Sequence, residues 1–197
     1  MVEGFQCGQF ARECYHPRKE PMSMNPDEKM GLIFGRRSIR AYTSAEVSQE
    51  DIQKLLQAAM AAPSAAAKDP WRFVVIRSRQ TLARIAAALP NGQMLASAAV
   101  GIAVCGELEA AHDRQLSYLL QDCSAAIQNI LLGAHILGLG ACWLGVHPRE
   151  QRIQSLREIL SLPDSVVPVA CISIGYPGEE KEPRTRFNEH YVHFERW

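Results

Sequence analysis

The stretch LSYLLQDCSAAIQNILLGAHIL, residues 116–137, has the clearest structural pattern in the 197-residue sequence. Its apolar residues return every three or four positions over the whole stretch, which predicts one long amphipathic helix. Polar residues interrupt it too often for a membrane span, which needs about 20 mostly apolar residues in a row. Small residues accompany the apolar stripe at Ala125, Ala126, Gly133 and Ala134. They allow a close approach either to a second copy of the chain or to another helix of the same chain.

Shorter elements flank this helix on both sides. Asn25, Pro26 and Glu28 form a helix-start signature, and Ser48 begins a second helix. Further helices are predicted at 81–89 and 150–160, and strands at 71–78, 98–106, 141–146 and 166–176. Pro168 favours an edge or a first position for the last strand. Since helices also follow one another directly, the order predicts an α+β domain rather than a regular doubly wound sheet.

Composition limits the classes of function. The chain is 47% hydrophobic, which suits one globular domain, and its 21 basic residues balance its 21 acidic ones. This balance argues against a general nucleic-acid or membrane-surface binder. We expect residues 1–24 to form an arm without fixed order and residues 25–197 to form a single domain. Within that domain, residues 177–197 are charged and are expected to form an extended tail.

Other motifs limit the chemistry. The six cysteines include no C-x-x-C pair, which favours reduced core thiols in a cytoplasmic protein. His190 and His193 form a lone pair in a polar tail, so no metal site is predicted. Gly138 and Gly140 begin a possible G-x-G-x-x-G, but Trp143 occupies the place of the third glycine. The motif also follows a helix and precedes a strand, which is the reverse of the dinucleotide-binding order.

An arginine cluster lies where the first helix ends. The motif GRRSIRAY (35–42) contains Arg36, Arg37, Ser38 and Arg40. Guanidinium groups match phosphate oxygens, so the cluster suits one dianionic phosphate. The alternative is a set of surface cations that complement a helix C-terminus. Arg184 and Arg186 in the tail could close the same phosphate from another side, or could belong to a solvated charge run.

Four motifs in one order give a family resemblance. They are RRSIRAY, AAPSAAAKDPWRFVVI, LGLGACWLGV and EPRTRFNEHYVHFERW, and together they resemble the flavin (FMN)-dependent nitroreductase family over residues 26–197. The resemblance implies an α+β fold with a mixed β-sheet flanked by helices and the long central helix at a homodimer interface. It also implies bound FMN at that interface, NADH or NADPH as a transient electron donor, and a tail that reaches the partner.

The resemblance also assigns flavin contacts. Phosphate and ribityl contacts fall on Arg36, Arg37, Ser38 and Arg40, and the basic pair before the C-terminal segment is Arg184 and Arg186. A loop that the partner chain lays against the isoalloxazine ring corresponds to Pro63, Ser64 and Ala65. The strand end whose backbone approaches the ring corresponds to Leu144 and Gly145.

Two positions depart from the family pattern APSxxNxQPW. Ala67 stands where asparagine is usual and Asp69 where glutamine is usual. Asparagine can hydrogen-bond the pyrimidine edge of a flavin, and Ala67 cannot, so that contact is lost or replaced. Lys68 could place a positive charge near the flavin N1 and C2=O, or could be an ordinary surface lysine.

The resemblance implies an oxidoreductase in which NAD(P)H gives hydride to the flavin, which then reduces an acceptor such as a nitroaromatic or a quinone. No protein side chain is assigned as an acid or base, because the flavin carries the hydride. Without a dinucleotide domain, donor and acceptor are expected to use one pocket in turn. The alternatives are a specialised member of the superfamily, such as a reductive dehalogenase or flavin-cleaving enzyme, and a flavin-binding protein without turnover.

Overall fold

The computed structural model of the protein describes residues 24–197. The predicted arm at 1–24 therefore lies outside the described residues except for its last position. The helices are α1 (Pro26–Gly35), α2 (Gln49–Met60), α3 (Arg79–Ala88), α4 (Leu116–Ile136) and α5 (Glu150–Leu160). The strands are β1 (Trp71–Ile76), β2 (Val100–Glu107), β3 (Gly140–Gly145) and β4 (Val166–Gly175). The α+β prediction is confirmed.

The four strands form one sheet in the order β1-β2-β4-β3, and each neighbouring pair is antiparallel. Among the described residues, parallel pairing is limited to an isolated bridge between Ser38 and Ala141. The four strands themselves are antiparallel, whereas the family resemblance implies a mixed sheet. The edge position suggested for Pro168 is wrong, because β4 is an interior strand. Pro168 pairs with Cys105 beside a register shift, where an irregular ladder tolerates the missing N–H.

Helices cover both faces of the sheet. One core cluster joins α2 and α4 to residues of β2 and β4, and the other joins α3 and α5 to the opposite side chains of the same strands. On α4, Gly133 faces Leu55 and Ala58 of α2, and the Asn129 side chain donates to the Ala58 carbonyl at 2.9 Å. The small residues of α4 thus serve packing within one chain. They give no independent support for a dimer interface.

The cysteines that the structure describes are free and buried: Cys105, Cys123, Cys142 and Cys171. Burial raises the pKa of Cys105, Cys123 and Cys171 to about 12, as expected for core thiols. Cys7 and Cys14 lie outside the described residues. In residues 24–197, no helix has the length and apolar character needed to cross a bilayer, and no three ligand-type side chains gather as a metal site would require.

A paired glycine experiment tests this packing. Gly106 of β2 lies directly under Leu119 of α4, and an added Cβ would overlap the Leu119 side chain. We expect Gly106→Ala to lower the free energy of unfolding by about 1–3 kcal/mol, the range for overpacked cores. Gly31→Ala is the control, because a Cβ there meets nothing within 4 Å and alanine favours helix by about 0.5–1 kcal/mol. Urea unfolding should rank Gly31→Ala as most stable and Gly106→Ala as least; equal stabilities would contradict the packing.

Candidate functional site

The arginine segment, residues 36–40, leaves α1 in an extended conformation. The Asn25–Glu28 capping box begins α1 as predicted, and Arg36 ends it with extended backbone angles. The segment then runs beside the edge strand β3, where the Ile39 N–H donates to the Ala141 carbonyl at 3.0 Å. Alternate residues of an extended chain share a side. This alternation puts Ser38 and Arg40 on one side of the segment, whereas Arg36 and Arg37 both line a smaller cavity of about 240 Å³ together with Lys181.

The thiol of Cys142 on β3 lies beside this group. Burial raises the pKa of Cys142, while the charges of Arg40, Lys181 and Arg36 and a hydrogen bond with Ser38 act in the opposite direction. Each of these four side chains therefore lies near enough to the Cys142 thiol to affect its pKa. We call Arg36, Ser38, Arg40 and Lys181 the basic cluster. Sequence reasoning did not single out Lys181, whose proximity depends on the path of the tail.

Tyr42 fixes the arginine segment to the sheet. Its hydroxyl donates to the Ile39 carbonyl at 2.7 Å and lies 2.8 Å from the hydroxyl of buried Ser173 on β4. Burial raises the pKa of Tyr42 well above its ordinary value, so the phenol keeps its proton. The backbone that presents the basic cluster is thus tied to an interior strand.

The tail segment, residues 176–184, runs along the arginine segment. Its backbone N–H groups at Gly178 and Arg184 donate to the carbonyls of Ala41 and Phe34, at 2.8 and 3.2 Å. The guanidinium of Arg37, a predicted phosphate ligand, donates to the Glu182 carbonyl and so contacts the tail segment. Within residues 24–197, no hydrogen bond or ion pair joins Arg186 to the basic cluster.

A cavity of about 450 Å³ opens beside the basic cluster, and we call it the β3 cavity. Its lining includes the predicted residues Arg40, Leu144 and Gly145. It also includes Asn91 and Gln93, two residues with amide side chains that follow α3. These amides can donate to and accept from a polar heterocycle. Sequence reasoning missed them, because the turn around 90–93 has no pattern that announces a site.

Helix α5 contributes to the lining of the β3 cavity. Arg152 of α5 lines the cavity and donates to the Gly145 carbonyl at 2.8 Å. Trp143 stands between Cys142 and Leu144 with 38% of its surface exposed. The cavity is thus lined by two arginines, Arg40 and Arg152, by two residues with amide side chains, and by the aromatic Trp143.

The alanine loop, residues 63–69, lies elsewhere on the chain. The Ser64 hydroxyl donates to the Asp69 carboxylate and accepts from the Asp69 N–H, which closes the loop. Pro63, Ser64, Ala65 and Ala67 do not line the β3 cavity, so one chain does not bring all the predicted residues together. Ala67 has a φ of 51°, a left-handed conformation that asparagine tolerates better than alanine. Lys68 lines a separate cavity of about 510 Å³ with residues 109–114.

Asp122 of α4 holds the alanine loop in place. Its Oδ1 accepts the Ala65 N–H at 2.9 Å, and only 5% of the residue's surface is exposed. Its other oxygen, Oδ2, has no hydrogen-bond partner among the described residues. A helix anchored in the core therefore sets the position of a surface loop.

Residues 33–93 and 86–176 match the model of the nitroreductase family. The chain belongs to the nitroreductase family. A relative from Archaeoglobus fulgidus, named as an NADH dehydrogenase/NAD(P)H nitroreductase, is 45% identical over 174 residues, covering 87% of this chain and 99% of the relative. The match to the family includes the arginine segment and the strand end, whereas Arg184 and Arg186 lie beyond the matched range.

Solved structures of nitroreductases share the fold. An FMN-dependent nitroreductase from Clostridium difficile superposes with a TM-score of 0.79 at 32% identity, covering 85% of this chain and 99% of the other. A nitroreductase from Desulfovibrio desulfuricans, solved in complex with FMN, gives a TM-score of 0.75 at 32% identity over 89% of this chain and 99% of the other. These values place the described fold within the nitroreductase group.

Proposed function

We propose that this nitroreductase-family protein is an FMN-dependent oxidoreductase that moves hydride from NADH or NADPH to a small acceptor such as a nitroaromatic or a quinone. One observation carries the proposal: Arg36, Ser38, Arg40 and Lys181 all lie near the Cys142 thiol, and Cys142 and Arg40 line the β3 cavity. The names of the relatives support it, since one is named for NAD(P)H, one is FMN-dependent and one was solved with FMN.

The donor set of this chain fits FMN. Two guanidiniums, an ammonium and a hydroxyl suit a terminal dianionic phosphate, which favours FMN over FAD. Asn91 and Gln93 line the same cavity, and amide side chains suit the polar edge of a ring system. The Gln93 amide nitrogen already donates to the Pro90 carbonyl at 2.7 Å, so Asn91 is the better candidate to replace the contact that Ala67 cannot make. When bound, the flavin supplies the N5 position that accepts a hydride and passes it on. The chain itself supplies binding, orientation and charge.

A second copy of the chain would complete the site. The alanine loop, with Pro63, Ser64, Ala65 and Ala67, is separate from the β3 cavity in one chain, and the family resemblance assigns it to the partner's flavin. Large apolar side chains are exposed along α1 and the end of the tail: Met30, Ile33, Phe34, Phe187, Tyr191, Phe194 and Trp197. Such a surface is typical of a protein interface. We therefore propose a homodimer with composite flavin sites.

Turnover is expected to be ping-pong. The β3 cavity is the proposed site of the flavin ring, and the sequence has no separate dinucleotide-binding motif, so we expect the donor and the acceptor to occupy one place in turn. Hydride transfer requires the nicotinamide C4 to come within about 3–3.5 Å of its acceptor atom, which leaves no room for a second substrate.

Steady-state kinetics with NADPH and a quinone test this mechanism. Double-reciprocal plots at several quinone concentrations should be parallel, and each substrate should inhibit competitively against the other at high concentration. Intersecting lines would show both substrates bound at once and would exclude the single pocket. Absence of any turnover in a flavin-loaded protein would instead favour a flavin-binding protein.

A further inference from the structure

Glu179 makes an unusual set of contacts behind the basic cluster. Its Oε1 accepts the backbone N–H of Arg40 at 2.6 Å and, more weakly, that of Ala41 at 3.4 Å. The same oxygen lies 2.9 Å from the Lys181 ammonium, which also donates to the Ser38 carbonyl at 2.9 Å. One carboxylate thus joins the tail segment to the backbone that carries Ser38 and Arg40.

These contacts keep Glu179 ionised. The backbone N–H of Arg40 and then the hydrogen bond with Lys181 hold the pKa of Glu179 below its ordinary value. A carboxylate beside a site for a dianion repels that dianion. Glu179 can favour phosphate binding only through a second effect that outweighs this repulsion. Its hydrogen bond to the Arg40 backbone supplies such an effect, because it holds a cation of the basic cluster in place.

We propose that Glu179 is a positioning residue for the basic cluster, and this inference rests on the proposed FMN function. Its carboxylate fixes the Arg40 backbone and orients the Lys181 ammonium, so both cations face the flavin phosphate. Because Glu179 belongs to the tail segment, displacement of the tail loosens the cluster. Glu179 itself does not touch the cofactor.

Dissociation constants for FMN and riboflavin test the proposal, since riboflavin lacks the phosphate. The variants are Glu179→Ala, Glu179→Gln, which keeps an acceptor oxygen, and the control Glu180→Ala. Glu180 carries the same charge one residue away, is exposed, and makes no side-chain hydrogen bond or ion pair within residues 24–197. We expect Glu179→Ala to weaken FMN binding about tenfold or more, with riboflavin binding unchanged. Glu179→Gln should fall between Glu179→Ala and the native protein, and Glu180→Ala should bind FMN as tightly as the native protein or more tightly.

The alternative explanations predict different changes in the dissociation constants for FMN and riboflavin. If Glu179 acts only as a negative charge, Glu179→Ala will tighten FMN binding as Glu180→Ala does, and the proposal is overturned. If the residue has only a general structural role, FMN and riboflavin will weaken together, which also overturns it. Hydrogen exchange on the flavin-loaded proteins gives a second reading, with faster exchange expected at the Arg40 and Ala41 amides of Glu179→Ala. Native protein that binds no FMN would overturn the proposed function itself, whereas FMN binding that Glu179→Ala leaves unchanged would overturn only this inference.

Discussion

Replacing Arg36 or Arg40 by alanine is expected to weaken FMN binding by about tenfold to a hundredfold. The reason is that each variant removes a charge-assisted hydrogen bond to phosphate, which contributes about 1.5–3 kcal/mol, and each 1.4 kcal/mol is tenfold in the dissociation constant. The double variant is expected to lose its flavin during purification. Fluorescence titration of the apoproteins with FMN measures the effect.

Arg84→Ala is the matched control for these variants. Arg84 is exposed on α3 and lines neither the β3 cavity nor the cavity beside Lys68. The Arg84→Ala substitution removes the same charge from the protein and leaves the basic cluster unchanged. If Arg36→Ala, Arg40→Ala and Arg84→Ala all bind FMN like the native protein, the assignment of the phosphate site is wrong.

Dilution of the flavin-loaded protein is expected to release FMN in step with subunit dissociation. In one chain the alanine loop and the β3 cavity are apart, so a monomer would offer only part of the proposed flavin site. The monomer should therefore bind flavin more weakly than the dimer, because it lacks the contacts that the partner loop supplies. Sedimentation velocity gives the fraction of dimer, and absorbance of an ultrafiltrate gives the released flavin at each concentration.

Linkage provides the control for the dilution experiment. If flavin binds the dimer more tightly than the monomer, added FMN must stabilise the dimer, so that the subunits dissociate only at a lower protein concentration. The two effects are linked by one coupling free energy. A monomer that keeps its flavin through the dilution series would contradict the composite site. A dimer whose stability is indifferent to added FMN would contradict it as well.

The sequence predicted features that local chemistry determines. The capping box at Asn25 and Glu28, the helix start at Ser48 and the apolar period of α4 all depend on residues a few positions apart, and the structure confirms each. Pro168 shows the limit of such reasoning. A proline prefers an edge because it lacks an N–H, but a bulge inside the sheet meets the same requirement.

Long-range contacts account for what the sequence did not predict. In the sequence, Lys181 and Glu179 are members of a charged tail, and only the path of that tail beside the arginine segment gives them a role. Arg37 looked equivalent to Arg36 in sequence. In the structure, Arg36 lies near the Cys142 thiol, whereas the Arg37 guanidinium donates to the Glu182 carbonyl of the tail segment. Asn91 and Gln93 reach the β3 cavity through the fold alone.

The absorbance spectrum of the purified protein, before and after anaerobic addition of NADPH, tests the central claim most directly. The account predicts a yellow protein whose visible flavin absorption is lost on addition of NADPH and returns when a quinone is added. Mass spectrometry of the released cofactor should identify FMN. A colourless protein that does not take up FMN, a cofactor identified as FAD, or a bound flavin that neither NADH nor NADPH reduces would contradict the account.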